Sequence, residues 1–273
     1  MKTTKRIAIL GVALLVIACA TNPFTGKKTI ALVPNSQLLP MSYQQYDQFL
    51  SENKVVTGTA DANRVKSVGK KIAAASEKWL KANGYEDYLK NYAWEYNLVD
   101  DKAVNAWCMP GGKIVFYTGI MPIANTEARV AAIMGHEVAH ALANHGQQRM
   151  SASQIQALGA VAGNVAFADD PENQAIFNTA YGVGSNVGVM LPFSRKHESE
   201  ADKIGLTLMA IAGYDPAEAA VLWQRMKAHS GGGAPPEFLS THPSNETRIK
   251  NINSWAAGAK AEARKFGVTN FKK

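Results

Sequence analysis

The chain has 273 residues, 47% of them apolar, and carries 29 Lys and Arg against 22 Asp and Glu, a formal charge of +7. Without Lys2, Lys5 and Arg6 the balance falls to 26 against 22, too mild to argue for a nucleic-acid partner, and no basic run is interleaved with aromatics. This length supports one sizeable core with a small appendage, and no internal repeat or low-complexity segment divides it.

The N-terminus reads as a targeting segment. Lys2, Lys5 and Arg6 precede an apolar run over residues 7–18. Twelve residues are too few to span a bilayer, which takes about 20, but they match a signal h-region. The run ends in Val16-Ile17-Ala18-Cys19, which is similar to a bacterial lipobox with valine at its first position. This predicts a lipoprotein signal peptide over 1–18, a lipidated Cys19 and a membrane tie through that lipid. By resemblance to sorted lipoproteins, Ala20 points to the outer membrane of a Gram-negative cell envelope, with the protein facing the periplasm. A plain signal peptide or an uncleaved anchor is the blander alternative, and a secreted hydrolase with no membrane tie would follow from the first. Cys108 is then left without a partner and reads as a small buried hydrophobe, not a nucleophile.

Residues 19–60 read as a tether and N-terminal packing segment. Turn signals recur in it, packing begins near 30–33, and a short helix is expected over 42–51. From Asp61 the apolar spacing Val65, Val68, Ile72, Ala75 and Trp79 predicts a helix that ends at Asn83-Gly84. Its lysines, 66, 70, 71 and 78, read as a solvated face. Strands are expected over 92–99, 104–109 and 113–117, the last two joined as a hairpin by Pro110-Gly111-Gly112. The hairpin is either plain scaffold or an open edge strand beside the next helix. In the second reading Asn105 and Ala106 hold an extended peptide by its backbone.

That next helix carries His136-Glu137-Val-Ala-His140. Histidines four apart share one helix face, so both imidazoles can reach one zinc ion at about 2.0–2.1 Å, with the intervening glutamate placed to act on a water. Asn125 or Thr126 can cap the helix, Glu127 suits its positive end, and the apolar spacing carries it to about Gln148. Such a short pattern also arises in buried helices with core histidines. His145 does not fit a third-ligand spacing and is expected to pack or cap near the helix end.

Residues 151–190 are rich in Ala, Gly, Val and Asn, and Asp169-Asp170-Pro171 breaks them into two helical halves. Neither half has the apolar length of a membrane span. Two soluble helices and a mobile flap both fit. After them, Ser194 reads as the N-cap of a helix that Gly213 ends, with Ile204, Leu208 and Ile211 on its buried face. Glu198 and Asp202 lie four apart on that helix. A two-His, one-Glu site needs a carboxylate from a second helix and an outer carboxylate to orient a ligating imidazole. Glu198 fits the first role and Asp202 the second.

Asp215-Pro216 opens another helix to about Ala228, residues 231–236 form a loop, and 244–257 read as a helix followed by a polar tail, 258–273, expected to fray. His242 has three readings: a surface loop histidine, a donor to the oxyanion, or an occupant of the open zinc position.

Taken together, His136-Glu137-x-x-His140, Ser194-Arg195, Glu198-x-x-x-Asp202, His242-Pro243 and Arg248 resemble the HtpX-like gluzincin endopeptidases, related to Ste-type CAAX proteases and grouped as metallopeptidase family forty-eight. Val104-Asn105-Ala106 and Pro110-Gly111-Gly112 resemble that family's segment before the active helix. The likeness runs from about Asp61 to Trp255, and lacks the membrane spans of some members, which suggests a lipoprotein or periplasmic branch. Trp107-Cys108 and the 151–190 segment depart from the family pattern and leave substrate preference open.

The resemblance implies a mainly helical α+β, zincin-like metalloprotease domain over 61–257, with a small antiparallel sheet whose edge strand lies beside the active helix. One Zn2+ per chain would be held by His136, His140 and Glu198. Glu137 would be the general base, with Asp202 and His242 assisting and Arg248 stabilising the oxyanion or binding substrate. The expected activity is quality-control cleavage of unfolded or misassembled envelope proteins. The alternative from another class is an envelope lipoprotein that binds such clients, chaperone-like, with a structural or latent zinc.

Overall fold

The computed structural model describes residues 19–185, 190–230, 237–243 and 246–273. The expected signal peptide over 1–18 and the loop over 231–236 lie outside the described residues. The chain packs as two compact units. One joins the described residues up to Leu38 with Asn144–His197; the other joins Leu39–Ala143 with Glu198–Lys273.

The larger unit is built on a four-stranded sheet of β3 (Val55–Val56), β4 (Glu95–Val99), β5 (Ala106–Met109) and β6 (Lys113–Tyr117), in the order β3-β4-β6-β5. The sheet is mixed and not wholly antiparallel as expected: β5 and β6 pair antiparallel, Ala106 opposite Phe116, whereas β4 and β6 pair parallel, Glu95 opposite Lys113. Burial gives the reason. Ile114, Val115 and Phe116 are fully buried in succession, which suits an inner strand covered on both faces. Most of β5 is half-buried, so it takes the edge. Gly111 and Gly112, at φ 85° and 83°, make the reversal that side chains with a Cβ resist.

Helix α1 (Asn35–Glu52) is longer than the short helix expected. Its Tyr46 packs with Val99 and Val115, flanked by Phe49, Trp107 and Tyr117. Helix α2 (Ala60–Ala82) is capped by Thr59 and buries Val65, Val68 and Ile72. It packs against α3 (Glu127–Leu142), the centre of the unit. All residues of α3 after Arg129 are buried, so this helix is enclosed on every side. Thr126 caps it by accepting the Arg129 N–H at 3.3 Å. It ends six residues before the expected Gln148 because Asn144 turns left-handed at φ 57°, a conformation asparagine tolerates.

Helix α6 (Leu191–Ile211) begins before Ser194, the expected cap, and carries its second half into this unit. Gly213, at φ 89°, follows it. Asp215 Oδ1 accepts the Ala217 N–H at 3.0 Å at the start of α7 (Ala217–His229). The one-turn α8 (Glu237–Thr241) and α9 (Glu246–Arg264) complete the unit. The expected fraying of 258–273 is not what the structure shows. Ala259 and Ala263 extend the buried stripe of Ile252 and Ala256, and Lys272 exchanges backbone hydrogen bonds with Gly213 and Asp215, both 2.8 Å.

In the smaller unit, the start of the expected tether folds as a hairpin. β1 (Cys19–Thr21) pairs antiparallel with β2 (Lys28–Ile30) around Gly26, at φ 67°. The chain then meets α4 (His145–Ala166): Leu32 N–H donates to Ser151 Oγ at 3.0 Å, and Gln147 Nε2 donates to Val33 O at 2.6 Å. Helix α5 (Pro171–Ser185) folds back along α4, started by Asp170, whose Oδ1 accepts the Asn173 N–H at 3.1 Å. Among the described residues no helix is long and apolar enough to cross a membrane.

Candidate metal centre

Helical spacing brings His136 and His140 together as the local pattern requires. Their Nε2 atoms are 3.1 Å apart, and both rings are buried. From α6, Glu198 reaches in with Oε2 at 3.3 Å from His136 Nε2 and Oε1 at 3.3 Å from His140 Nε2. His242, just past α8, places Nδ1 3.1 Å from His136 Nε2 and 2.9 Å from Glu198 Oε2. One donor atom from each of the four lies within 4.8 Å of every other.

These spacings fit a metal: three imidazole nitrogens and a carboxylate from three separate elements converge on one point. Four ligands at about 2.0–2.1 Å from a tetrahedral zinc are separated by about 3.3–3.4 Å, close to the 2.9–3.3 Å of the pairs given above. Charge points the same way. Three formal carboxylates, Glu137, Glu198 and Asp202, face one guanidinium, Arg248, leaving two negative charges that a divalent cation balances.

Close crossing of two helices puts Glu198 within reach. Gly135 and Gly205 meet back to back. A Cβ on Gly205 would lie 2.9 Å from Gly135 C and from His136 N, and one on Gly135 would lie 2.8 Å from Gly205 O. Backbone on both sides leaves nothing flexible to yield. The residue that precedes the first ligand is therefore also the contact that sets the distance to the third.

Behind the ligands, Asp202 Oδ1 is 2.9 Å from His136 Nδ1, an outer carboxylate that fixes ring orientation. Arg248 grips Asp202 with two bonds, Nε to Oδ2 at 2.8 Å and Nη2 to Oδ1 at 2.7 Å, and sets Nη1 3.3 Å from Glu198 Oε2. Its guanidinium lies 3.6 Å over the Trp223 ring. The expectation of a substrate-binding or oxyanion-binding Arg248 is corrected here. The side chain is only 7% exposed, and its donors are turned to the two acids that frame His136.

Electrostatics follow from this packing. Burial alone would depress His136, but the Asp202 and Glu198 carboxylates outweigh it and bring its pKa up to about 9. His140 is driven by burial down to about 3, against the pull of Glu198. Burial opposes charge on Glu198, yet bonds from His136, His140 and His242 hold its carboxyl far below the usual range. Asp202 is likewise held low against its burial, chiefly by Arg248 and then by His136.

Other expected residues fall differently. β5 is the sheet edge and packs on α3, but Asn105 and Ala106 are engaged within the chain. Asn105 Oδ1 accepts the Ala106 N–H at 2.9 Å, Asn105 O accepts the Tyr117 N–H at 3.1 Å, and Ala106 is buried. Nearby, Val104 O accepts the Phe238 N–H at 3.1 Å. His145 lies outside the cluster, buried at the start of α4 and stacked on His197 at 4.0 Å between ring centroids. Burial raises the Cys108 thiol well above its ordinary pKa, and Cys19 is exposed at the start of β1. Sequence reasoning missed Trp223, Phe238 and the Gly135–Gly205 pair. Trp223 meets His136 edge-on at 5.9 Å, and Phe238 stacks on Trp223 and lies 4.7 Å from His242. The Trp223 and Phe238 aromatics look like ordinary core from local pattern alone.

The profile of peptidase family M48 matches residues 60–256. The chain belongs to peptidase family M48. Members of M48 are zinc-dependent metallopeptidases, and the His136, His140, Glu198 and His242 cluster can bind one such ion. The chain is similar to mitochondrial metalloendopeptidase OMA1 of Schizosaccharomyces pombe, 37% identical over 64% of this chain and 50% of that protein. OMA1 of Arabidopsis thaliana is 38% identical over 66% of this chain and 35% of its own length. The beta-barrel assembly-enhancing protease of Escherichia coli is 26% identical over 60% of this chain and 34% of its own. The chain thus spans half or less of these three relatives.

These M48 relatives correct the expected address. The two at 37% and 38% identity are named as mitochondrial enzymes of eukaryotes, which overturns placement on a Gram-negative outer membrane facing the periplasm. The physical reason is the brevity of the targeting pattern. A cationic start, a short apolar run and no acidic residue before Cys19 are features that several classes of targeting segment share.

Proposed function

We propose that the chain is a zinc endopeptidase that cleaves extended segments of unfolded or misassembled proteins, and that His242 holds it at rest. The observation that carries this reading is the four-donor cluster with Glu137 beside it, Oε1 3.4 Å from His242 Nε2. His136, His140 and Glu198 would hold the ion, which would supply a Lewis acid able to lower the pKa of a water to about 7 and to polarise a carbonyl. Glu137 takes the proton from the attacking water and returns it to the leaving amine. Asp202 keeps the His136 ring aligned, and Arg248 keeps Asp202 ionised. Extended substrate suits the edge strand β5, because main-chain pairing reads backbone without regard to side chain.

His242 stands where the fourth ligand of a catalytic site would be exchangeable. Four protein donors are the mark of a closed zinc site. The enzyme must therefore release His242 to work. A second reading rests on the same observation: a binding protein whose zinc stays closed.

Cleavage of reduced, carboxymethylated casein by the full chain tests both, with zinc content read in parallel. A chelator should abolish cleavage, and Glu137→Gln should reduce it about 10²–10⁴-fold with zinc still bound. Cleavage by Glu137→Gln at the wild-type rate would exclude the mechanism. His242→Ala should raise turnover severalfold; stoichiometric zinc without cleavage in that variant would favour the binding protein.

A further inference from the structure

We infer that the α4–α5 hairpin lies flat on a lipid surface, with the outer face of α4 among acyl chains. Among the described residues of 151–190 none belongs to the metal centre, and the outer face of α4 between 157 and 166 is aliphatic where a hairpin made for water would be polar. Between 157 and 168 every exposed residue is alanine, valine or leucine. Leu158, Val161 and Val165 are 67%, 61% and 71% exposed, and Ile176 on α5 is 60% exposed. On α4 these positions fall on one side of the helix, three and four residues apart.

Neutral polar groups link the two helices. Asn164 and Asn178 exchange amide hydrogen bonds of 3.1 and 3.0 Å. Gln174 Nε2 donates to Asn164 O at 3.0 Å, Tyr181 OH to Gln156 O at 3.0 Å, and Gln156 Nε2 to Ser185 Oγ at 2.6 Å. Gly159 and Gly163, four apart, admit the Tyr181 and Phe177 rings where a Cβ would collide. Small residues at the helix contact, amides as the link and hydrocarbon outside are the packing rules of helices in lipid.

Charge identifies the partner and limits the depth. Between Arg149 and Arg195 the charged residues are Asp169, Asp170 and Glu172, all at the turn. A protein partner ordinarily meets an apolar centre ringed by polar groups, and between 157 and 166 no exposed polar side chain interrupts this face of α4. Carboxylates at the turn oppose tip-first insertion. The aliphatic stretch covers about 18 Å at 1.5 Å per residue, short of a hydrocarbon core of about 30 Å. The hairpin therefore rests along the surface, immersed by a layer of side chains. Continuity supports the same partner: the described part of the unit holding the hairpin starts at Cys19, directly after the apolar run over 7–18 of the sequence, and β2 packs on α4 within it.

The test uses the full chain with p-benzoyl-phenylalanine in place of Val161, irradiated with phosphatidylcholine vesicles. The same probe at Lys66, exposed on α2, is the reference. Phospholipid adducts at 161 should exceed those at 66 at least tenfold, and should fall at least fivefold when Leu158→Glu and Val165→Glu are added. Equal labelling at the two positions overturns the proposal, even where the chain floats with vesicles through its N-terminus. Chain-to-chain adducts in place of lipid would assign the face to a second copy, and adducts to added casein would assign it to a client; either overturns it.

Discussion

Around α3, charged side chains lie inside and hydrocarbon surrounds them; in the α4–α5 hairpin, neutral amides link the two helices and the outer face of α4 is hydrocarbon. The metal centre places His136, Glu198, Asp202 and Arg248 out of water, and each is tied to another by an ion pair or charge-assisted bond. The hairpin joins its helices through neutral groups, partly buried or exposed, which need no counter-charge. The difference teaches what each region is exposed to. A buried ionic network tolerates almost no displacement, since any unpaired charge costs several kcal/mol. A neutral amide seam tolerates a change of solvent outside it.

Three substitutions or conditions sharpen this contrast. The largest effect is expected at the helix crossing. Gly205→Ala should push α6 from α3, destabilise the fold by about 1–3 kcal/mol and weaken zinc binding by more than the ~10–100-fold typical of outer contacts. Zinc titration with wild-type affinity would show that the crossing does not set the Glu198 position.

Next is pH in the zinc-free protein. The folded-state pKa of His136, about 9, exceeds its ordinary 6.5. That raised pKa contributes stability fully below pH 6.5, and the contribution is lost as pH rises through 9. Urea unfolding of chelator-treated protein should therefore show a loss of up to about 3 kcal/mol between these limits. His140 is depressed to about 3, so its contribution is complete above 6.5 and does not mask the trend. Zinc affinity should rise over the same window, because the ion must displace the His136 proton. A flat stability profile would mean that Asp202 and Glu198 do not share a proton-bearing ring.

The smallest effect is expected in the hairpin. Leu158 is 67% exposed, so Leu158→Glu should change stability in water by no more than about 0.5 kcal/mol and leave casein cleavage within twofold. A large loss in the absence of lipid would show that this face is covered by protein.

Local chemistry made much of the centre legible. His136 and His140 follow from helical spacing, Thr126 from capping, and the Asn83-Gly84, Gly111-Gly112 and Gly213 stops from backbone freedom. The two helical halves over 151–190 could be read from Asp170-Pro171. The aliphatic outer face of α4 could not, because Leu158 and Asn164 do not declare from sequence which side meets the other helix. Nor could the early end of α3, where a single left-handed Asn144 outweighs continuing helical propensity.

By itself the sequence determined which side chains could serve a metal, since ligands four apart on one helix need no other part of the chain to share a face. Only the tertiary structure decided how far Glu198 stands from them, through Gly135 against Gly205. It also decided that Arg248 serves Asp202 and not a substrate, that β6 and not β5 runs inside the sheet, and that His242 completes the cluster. Each of these is a contact between residues far apart in the chain, and spacing along the chain carries no measure of distance across it.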